Sequence, residues 1–403
     1  MAALEERFAS LYASLASIGR AESSGGYRRY AWTAADAELR EWFRAQAESR
    51  ALEYNQDRNG NQWAWWGRPG PGAVVTGSHL DSVPDGGAYD GPLGIVSAFL
   101  AVDDLRKRGL ILGRPLAVVS FADEEGARFG VSCVGSRLLT GLLDPDVARD
   151  LRDGDGVCLA EAMQAAGADP AALGRDDEAL HRIGVFVELH IEQGRALVDL
   201  DAPVGVATAI WPHGRWRFGF TGQANHAGTT RLEDRRDPML PFAETVLAAR
   251  GTAAKAGALA TFGKVRVLPN GTNAIASSVE AWLDARAPTD DTLLAVVADI
   301  GGAAARAAAA HGVTVTTTTE SSTPVVAFDA GLRDRVSGAL GGAPTLPTGA
   351  GHDAGILSTR VPSAMLFVRN PTGISHSPAE HADPVDAVAG VRALAAVLAD
   401  LSC

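Results

Sequence analysis

Thiol chemistry is nearly absent from this 403-residue chain. Its three cysteines, Cys133, Cys158 and Cys403, stand far apart and form no CxxC pair. So scattered a set excludes a disulfide framework and a sulfur-ligated metal site, and it points to a reducing compartment, expected to be the cytoplasm. Long apolar runs are also missing. No stretch of 18 apolar residues occurs, so no membrane span is expected, and Glu5, Glu6 and Arg7 interrupt the N-terminus where a signal peptide needs an unbroken apolar core. Basic residues are in deficit, 36 Lys and Arg against 48 Asp and Glu, for a net charge of −12. That balance argues against nucleic acid or an anionic membrane as partner, and an anionic substrate would need a local basic anchor. There is no internal repeat. What remains is a chain 46% hydrophobic and 21% charged, the balance of a packed globular protein, and long enough to call for about two domains.

Short apolar runs at Ala73–Thr76, Leu116–Phe121 and Gly184–Leu189 read as buried strands, each followed by a cluster of His, Asp or Glu. A helical pattern over Leu93–Arg108 lies between two of them. Strand, polar cluster, helix is the rhythm of an α/β domain with a mainly parallel sheet, whose sites lie beyond the carboxyl ends of the strands. Near Ile210 the character changes. Arg215–Gly222, Lys264–Leu268 and Ser278–Leu283 alternate like half-exposed antiparallel strands, and Pro241–Ala256 and Thr292–His311 read as Ala-rich helices. The first style returns after Thr323-Pro324, with Ala364–Val368 as another buried strand. The expected organisation is a discontinuous α/β domain, 1–210 and 324–403, with a smaller α+β unit inserted at 211–323.

Several segments carry chemistry. His79 follows the first strand, and Asp81 is placed to hold its second ring nitrogen. Asp90 lies in a glycine-rich loop, either as a turn residue or as a carboxylate bridging two cations. Asp123-Glu124-Glu125 follows the second strand. Three adjacent acids repel unless cations or solvent neutralise them, and they divide naturally into a metal ligand and a base that takes a proton from metal-bound water. The plain alternative is a helix N-terminus that favours acids. His190, His352 and His376 bring to four the histidines at strand ends or in glycine-rich turns beside carboxylates. Nitrogen and oxygen ligands without thiolate favour Zn, Mn, Co or Ni.

The motifs GSHLDSVPDGGAYDGPLG, DEEGARFG, ELHIEQG, GQANHAGTT, GTNAI, LDAR, GAGHDA and GISHSPAE, in that order, resemble the M20-type amidohydrolases. Within them the chain is similar to the branch of allantoate amidohydrolases, N-carbamoyl-L-amino-acid hydrolases and β-ureidopropionases, and the likeness spans nearly the whole sequence. The resemblance implies two divalent metal ions, with His79 and His376 as terminal ligands of different ions, Asp90 as bridge, and Glu125 and His190 as further ligands. It implies Glu124 as general base, Gln193, His226, Asn273, Arg286 and His352 as substrate-binding residues, and a homodimer built through the inserted unit. The implied reaction is hydrolysis of a ureido or N-carbamoyl C–N bond on a small carboxylate. Allantoate is the leading substrate, with N-carbamoyl or N-formyl amino acids next and a dipeptide as the remote alternative. Each substrate residue has a plainer reading: Arg286 paired with Asp284, Asn273 serving the Asn270-Gly271 turn, Gln193 capping a helix. His381 rivals His376. Arg231, Leu232 and the segment 211–216 depart from the family pattern at the end of the site that sets specificity.

Overall fold

The computed structural model describes residues 2–403. The chain divides into two compact units, one running to Thr208 and resuming at Ala327, the other Ala209–Val326. The sequence pattern places these boundaries at 210/211 and 323/324. The first change of unit falls inside strand Val204–Ile210, where no shift in residue pattern marks it.

The larger unit is built on a nine-stranded sheet. Its middle is parallel: Ala73–His79 pairs with Leu116–Phe121 on one side and Ile183–Ile191 on the other, and Ile183–Ile191 pairs with Ser363–Val368. Antiparallel strands flank this middle. Gln62–Trp66 joins Leu116–Phe121, and Val204–Ile210 joins Ser363–Val368. Ala73–His79, Leu116–Phe121 and Ser363–Val368 are buried along their whole length, as expected of parallel strands covered on both faces. Helix Pro92–Lys107 starts from Gly91 with proline at its first position and is apolar almost all round, being wedged between the sheet and helix Pro384–Ser402. Leu93, Phe99, Val187, Leu189 and Leu394 belong to one core. By the two-residue period of a strand, Glu188 and His190 face the other side from Val187 and Leu189.

The smaller unit is a four-stranded antiparallel sheet, ordered Thr314–Thr323, His213–Thr221, Ser278–Arg286, Leu259–Leu268. Val279, Ala281, Leu283 and Ala285 alternate inward with Trp216, Phe218 and Phe220, and helices Met239–Ala256 and Asp290–Ala310 cover that face. By length and composition alone, Asp290–Ala310 is apolar enough to cross a membrane, although it holds no unbroken run of 18 apolar residues. Its Leu293, Val296, Ile300 and Ala304 fill the core of this unit instead. The three cysteines are unpaired.

Candidate active site

The carboxyl ends of the parallel strands bring the sequence-distant acids and imidazoles together. His79 ends its strand, Asp123-Glu124-Glu125 follows Phe121, and His190 lies one residue from the end of Ile183–Ile191. Asp90 stands at the turn into helix Pro92–Lys107. Gly91 there has φ 83, and a Cβ on it would lie 2.5 Å from His79 Cε1, so only glycine lets the loop close on the imidazole. His376, Asp123 and Cys133 all hold left-handed backbone (φ 55, 52 and 56), and such strain in non-glycine residues collects at functional sites.

Two clusters share Asp90. His79, Asp90 and His190 form one and Asp90, Glu125 and His376 the other, with candidate ligand atoms in each within 4.8 Å of one another. Asp90 Oδ1 lies 3.4 Å from His79 Nε2 and 3.1 Å from His190 Nε2. Its Oδ2 lies 3.3 Å from His376 Nε2, which is 3.6 Å from Glu125 Oε2. A tetrahedral ion with bonds of about 2.1 Å has ligand edges of about 3.4 Å, so these spacings suit one cation per cluster. The orphaned atoms agree. His79 Nε2, His190 Nε2 and Glu125 Oε1 are buried without a hydrogen-bond partner among the described residues, a costly state unless something else satisfies them. The Nδ1 atoms lie against main-chain carbonyls instead, His79 against Asp81 O at 3.2 Å and His190 against Ile191 O at 2.9 Å, which fixes the rings with Nε2 inward.

The electrostatics follow from this crowding. Burial would raise Asp90, but His190, His376 and His79 hold it well below the usual carboxylate range. Burial pushes Glu125 up to about 7, helped by Asp90. Glu124 is driven well upward by burial and by Asp353, Glu125 and Asp81, against the pull of His79. His376 is raised to about 9, chiefly by its hydrogen bond to Asp90. His352 is held neutral by burial and by His190, whose ring centroid is 4.5 Å away.

Other expected residues fall into place differently. The Asp81 carboxylate lies 3.4 Å from His79 Nδ1, but its closer work is to accept the N–H groups of Glu124 and Glu125 at 3.2 and 3.0 Å. It anchors the acidic turn. Gln193 caps no helix; Glu192 accepts the Ala196 and Leu197 N–H groups, while Gln193 Nε2 donates to Asp90 Oδ2 at 2.8 Å. His381 pairs with Asp383 and belongs to neither cluster. In the smaller unit, exposed His226 pairs in register with Ala274, and the Ala227 N–H donates to Asn273 O at 3.0 Å, so His226 and Asn273 are neighbours. Arg286 ends strand Ser278–Arg286 at the opposite extremity and donates to Asp284 at 2.9 Å. Arg231 is exposed, 3.9 Å from Glu233.

Glu188, Glu380 and Cys133 also border the site, which residue order alone does not single out. Glu188 is fully buried, accepting from Ser78 Oγ at 2.8 Å and Ala354 N at 2.9 Å. An acid two residues before His190 in an otherwise apolar strand was the available signal. The Cys133 thiol donates to Glu124 Oε1 at 3.5 Å, and nothing in the spacing announced it.

Fold and site together define the class, a hydrolase on a mixed α/β fold with side chains arranged for divalent metal. A family model described as peptidase family M20/M25/M40 matches residues 75–400. An N-carbamoyl-L-amino acid amidohydrolase of Geobacillus stearothermophilus is 36% identical, over 96% of each chain, and the allantoate amidohydrolase of Escherichia coli 32%, also over 96% of each. The crystal structure of an amidase of the hydantoinase/carbamoylase family from Burkholderia multivorans superposes with a TM-score of 0.88 at 30% identity, covering 99% of this chain and 98% of that one. The chain belongs to the M20/M25/M40 family, on its amidohydrolase branch.

Proposed function

We propose that the protein hydrolyses the C–N bond of a ureido or N-carbamoyl group on a small carboxylate, with Glu124 as general base. The observation that carries this reading is the sharing of Asp90 between two clusters whose inward nitrogens lack partners. Divalent cations held by His79, Asp90 and His190 and by Asp90, Glu125 and His376 would polarise the poorly electrophilic ureido carbonyl, lower the pKa of a bound water and draw Glu124 toward its ionised form. Glu124, 3.8 Å from His79 through Oε2, is placed to take a proton and return it to the leaving nitrogen. Neutral His352, with Nε2 buried and unpartnered among the described residues, is suited to hydrogen-bond a developing oxyanion. Gln193 orients the shared carboxylate. Arg286 supplies a bidentate fork for the substrate carboxylate once it exchanges Asp284 for it.

Strand Ser278–Arg286 separates His226 and Asn273 from Arg286 by roughly 26 Å, at about 3.3 Å per residue. No small carboxylate spans that distance. If both ends contact one substrate molecule, they come from different copies of the chain, which supports a homodimer. N-carbamoyl-L-amino acid amidohydrolases at 36% and 30% identity and allantoate amidohydrolases at 32% are similar to the chain to a like degree, so both substrate classes enter the test. Zinc or manganese fits the donor set, cobalt and nickel less commonly. The test incubates the metal-reconstituted protein with N-carbamoyl-L-amino acids, allantoate, N-formyl amino acids and dipeptides, reading ammonia from the ureido substrates and the freed amino acid from the others. Release from the ureido substrates is expected. Turnover of dipeptides alone would overturn the reading.

A further inference from the structure

The loop carrying Asp90 is held by a residue almost three hundred positions later. Glu380 is 5% exposed and lies four residues beyond His376. Its Oε1 accepts the N–H groups of Tyr89 at 2.8 Å and Asp90 at 2.9 Å. Its Oε2 accepts the Ser375 hydroxyl at 3.0 Å, and that same hydroxyl lies 3.3 Å from Asp90 Oδ2. One hydroxyl carries one proton, so Ser375 serves either Glu380 or Asp90, and Glu380 is the nearer. Gly87 permits the approach, since a Cβ there would fall 2.4 Å from the Glu380 side chain.

A buried acid beside another buried acid is unfavourable by charge, and no Lys or Arg pairs with Glu380 among the described residues. A glutamine at this position would still accept both main-chain N–H groups through its amide oxygen. What it would change is Ser375: the amide NH2 would donate to the serine oxygen and turn the hydroxyl proton toward Asp90 Oδ2. That oxygen belongs to the cluster with Glu125 and His376, whereas Oδ1 faces His79 and His190. A proton donor on Oδ2 competes with a cation for the same lone pairs.

We propose that Glu380 is a positioning residue for the candidate metal centre: it fixes the Asp90 main chain and accepts the Ser375 hydroxyl, so that Asp90 Oδ2, which already accepts Gln193 Nε2, takes no second donor in place of a cation. The proposal rests on the reading of Asp90 as the shared ligand. It is tested by titrating the metal-stripped full-length protein with Mn²⁺ or Zn²⁺ by calorimetry. Wild type should bind two cations per chain. Glu380→Gln should keep one at wild-type affinity and bind the other about 10- to 100-fold more weakly, the usual cost of losing a partner behind a metal ligand. Adding Ser375→Ala should restore most of that loss, because the competing proton is gone. A purely structural role would not produce that rescue. Gly87→Ala, which pushes Glu380 away without removing a charge, should reproduce the selective weakening and serves if Glu380→Gln folds poorly. Two cations at wild-type affinity in Glu380→Gln, equal weakening of both, or no rescue by Ser375→Ala would overturn the role of Glu380 alone. Fewer than two cations in wild type, or two retained by Asp90→Asn, would overturn the shared-ligand reading and this proposal with it.

Discussion

Glu124 differs from its neighbour Glu125 in what surrounds it. Glu125 reaches His376, while Glu124 faces His79, the Cys133 thiol and the acids Asp81 and Asp353. Glu124→Gln keeps the shape of the side chain and removes the base. Turnover is expected to fall roughly 10²- to 10⁴-fold with cation content unchanged, measured by elemental analysis beside the rate; loss of metal would instead make Glu124 a ligand. His376 offers a pH test. Its pKa of about 9 in the metal-free protein lies above the ordinary imidazole value, so near neutrality it carries a proton that an incoming cation must expel. Apparent affinity should therefore rise with pH up to about 9 and weaken on acidification, with net proton release in calorimetry across buffers of different ionisation enthalpy. The sign for stability is opposite. A raised folded-state pKa contributes stability present below the ordinary value of 6.5 and lost through about 9, a modest effect for a half-exposed side chain.

At the scale of elements, the parallel strands and their covering helix could be read from residue order, because continuous apolar runs and a helical period survive in the chain itself. Strand Thr314–Thr323 could not. It is an edge strand with nearly every residue exposed, so TVTTTTESST has no apolar side to give a period. Gln62–Trp66 is not legible either, since it opens on a polar residue, Gln62, that only the folded chain buries. In the smaller unit, Ile300 is fully buried between helix and sheet. Ile300→Ala should cost about 2–5 kcal/mol by urea unfolding followed through that unit. Gly91→Ala acts on an element boundary. Its methyl group would collide with the His79 ring, so cation binding should fail more than stability does, a contrast read by calorimetry against the thermal melt.

For the whole molecule, metal and assembly are the coupled questions. Buried nitrogens and carboxylates without partners are a cost that bound cations offset, so stripping the metals should lower the melting temperature and adding them back should restore it. An unchanged melt would mean the cations add no stability. The distance between Arg286 and the His226–Asn273 pair leads to a mixing experiment. Arg286→Ala and His226→Ala proteins should each be nearly inactive. Unfolded together and refolded, they should recover about a quarter of wild-type activity, since half of the dimers are mixed and each mixed dimer has one intact site. No recovery would refute a site shared between copies.

Residue order alone determined the α/β class, the presence of an inserted α+β unit and a short list of imidazoles and carboxylates, because periodicity and motif are properties of neighbouring residues. Only tertiary structure decided that Asp90 offers one oxygen to each cluster, that Asp81 holds the acidic turn, that Glu380 clamps the Asp90 loop, and that Arg286 and His226 lie toward opposite ends of strand Ser278–Arg286. Those relations depend on strand order and on approaches that glycines permit between segments far apart in the chain, and a linear sequence carries no record of which loop will meet which.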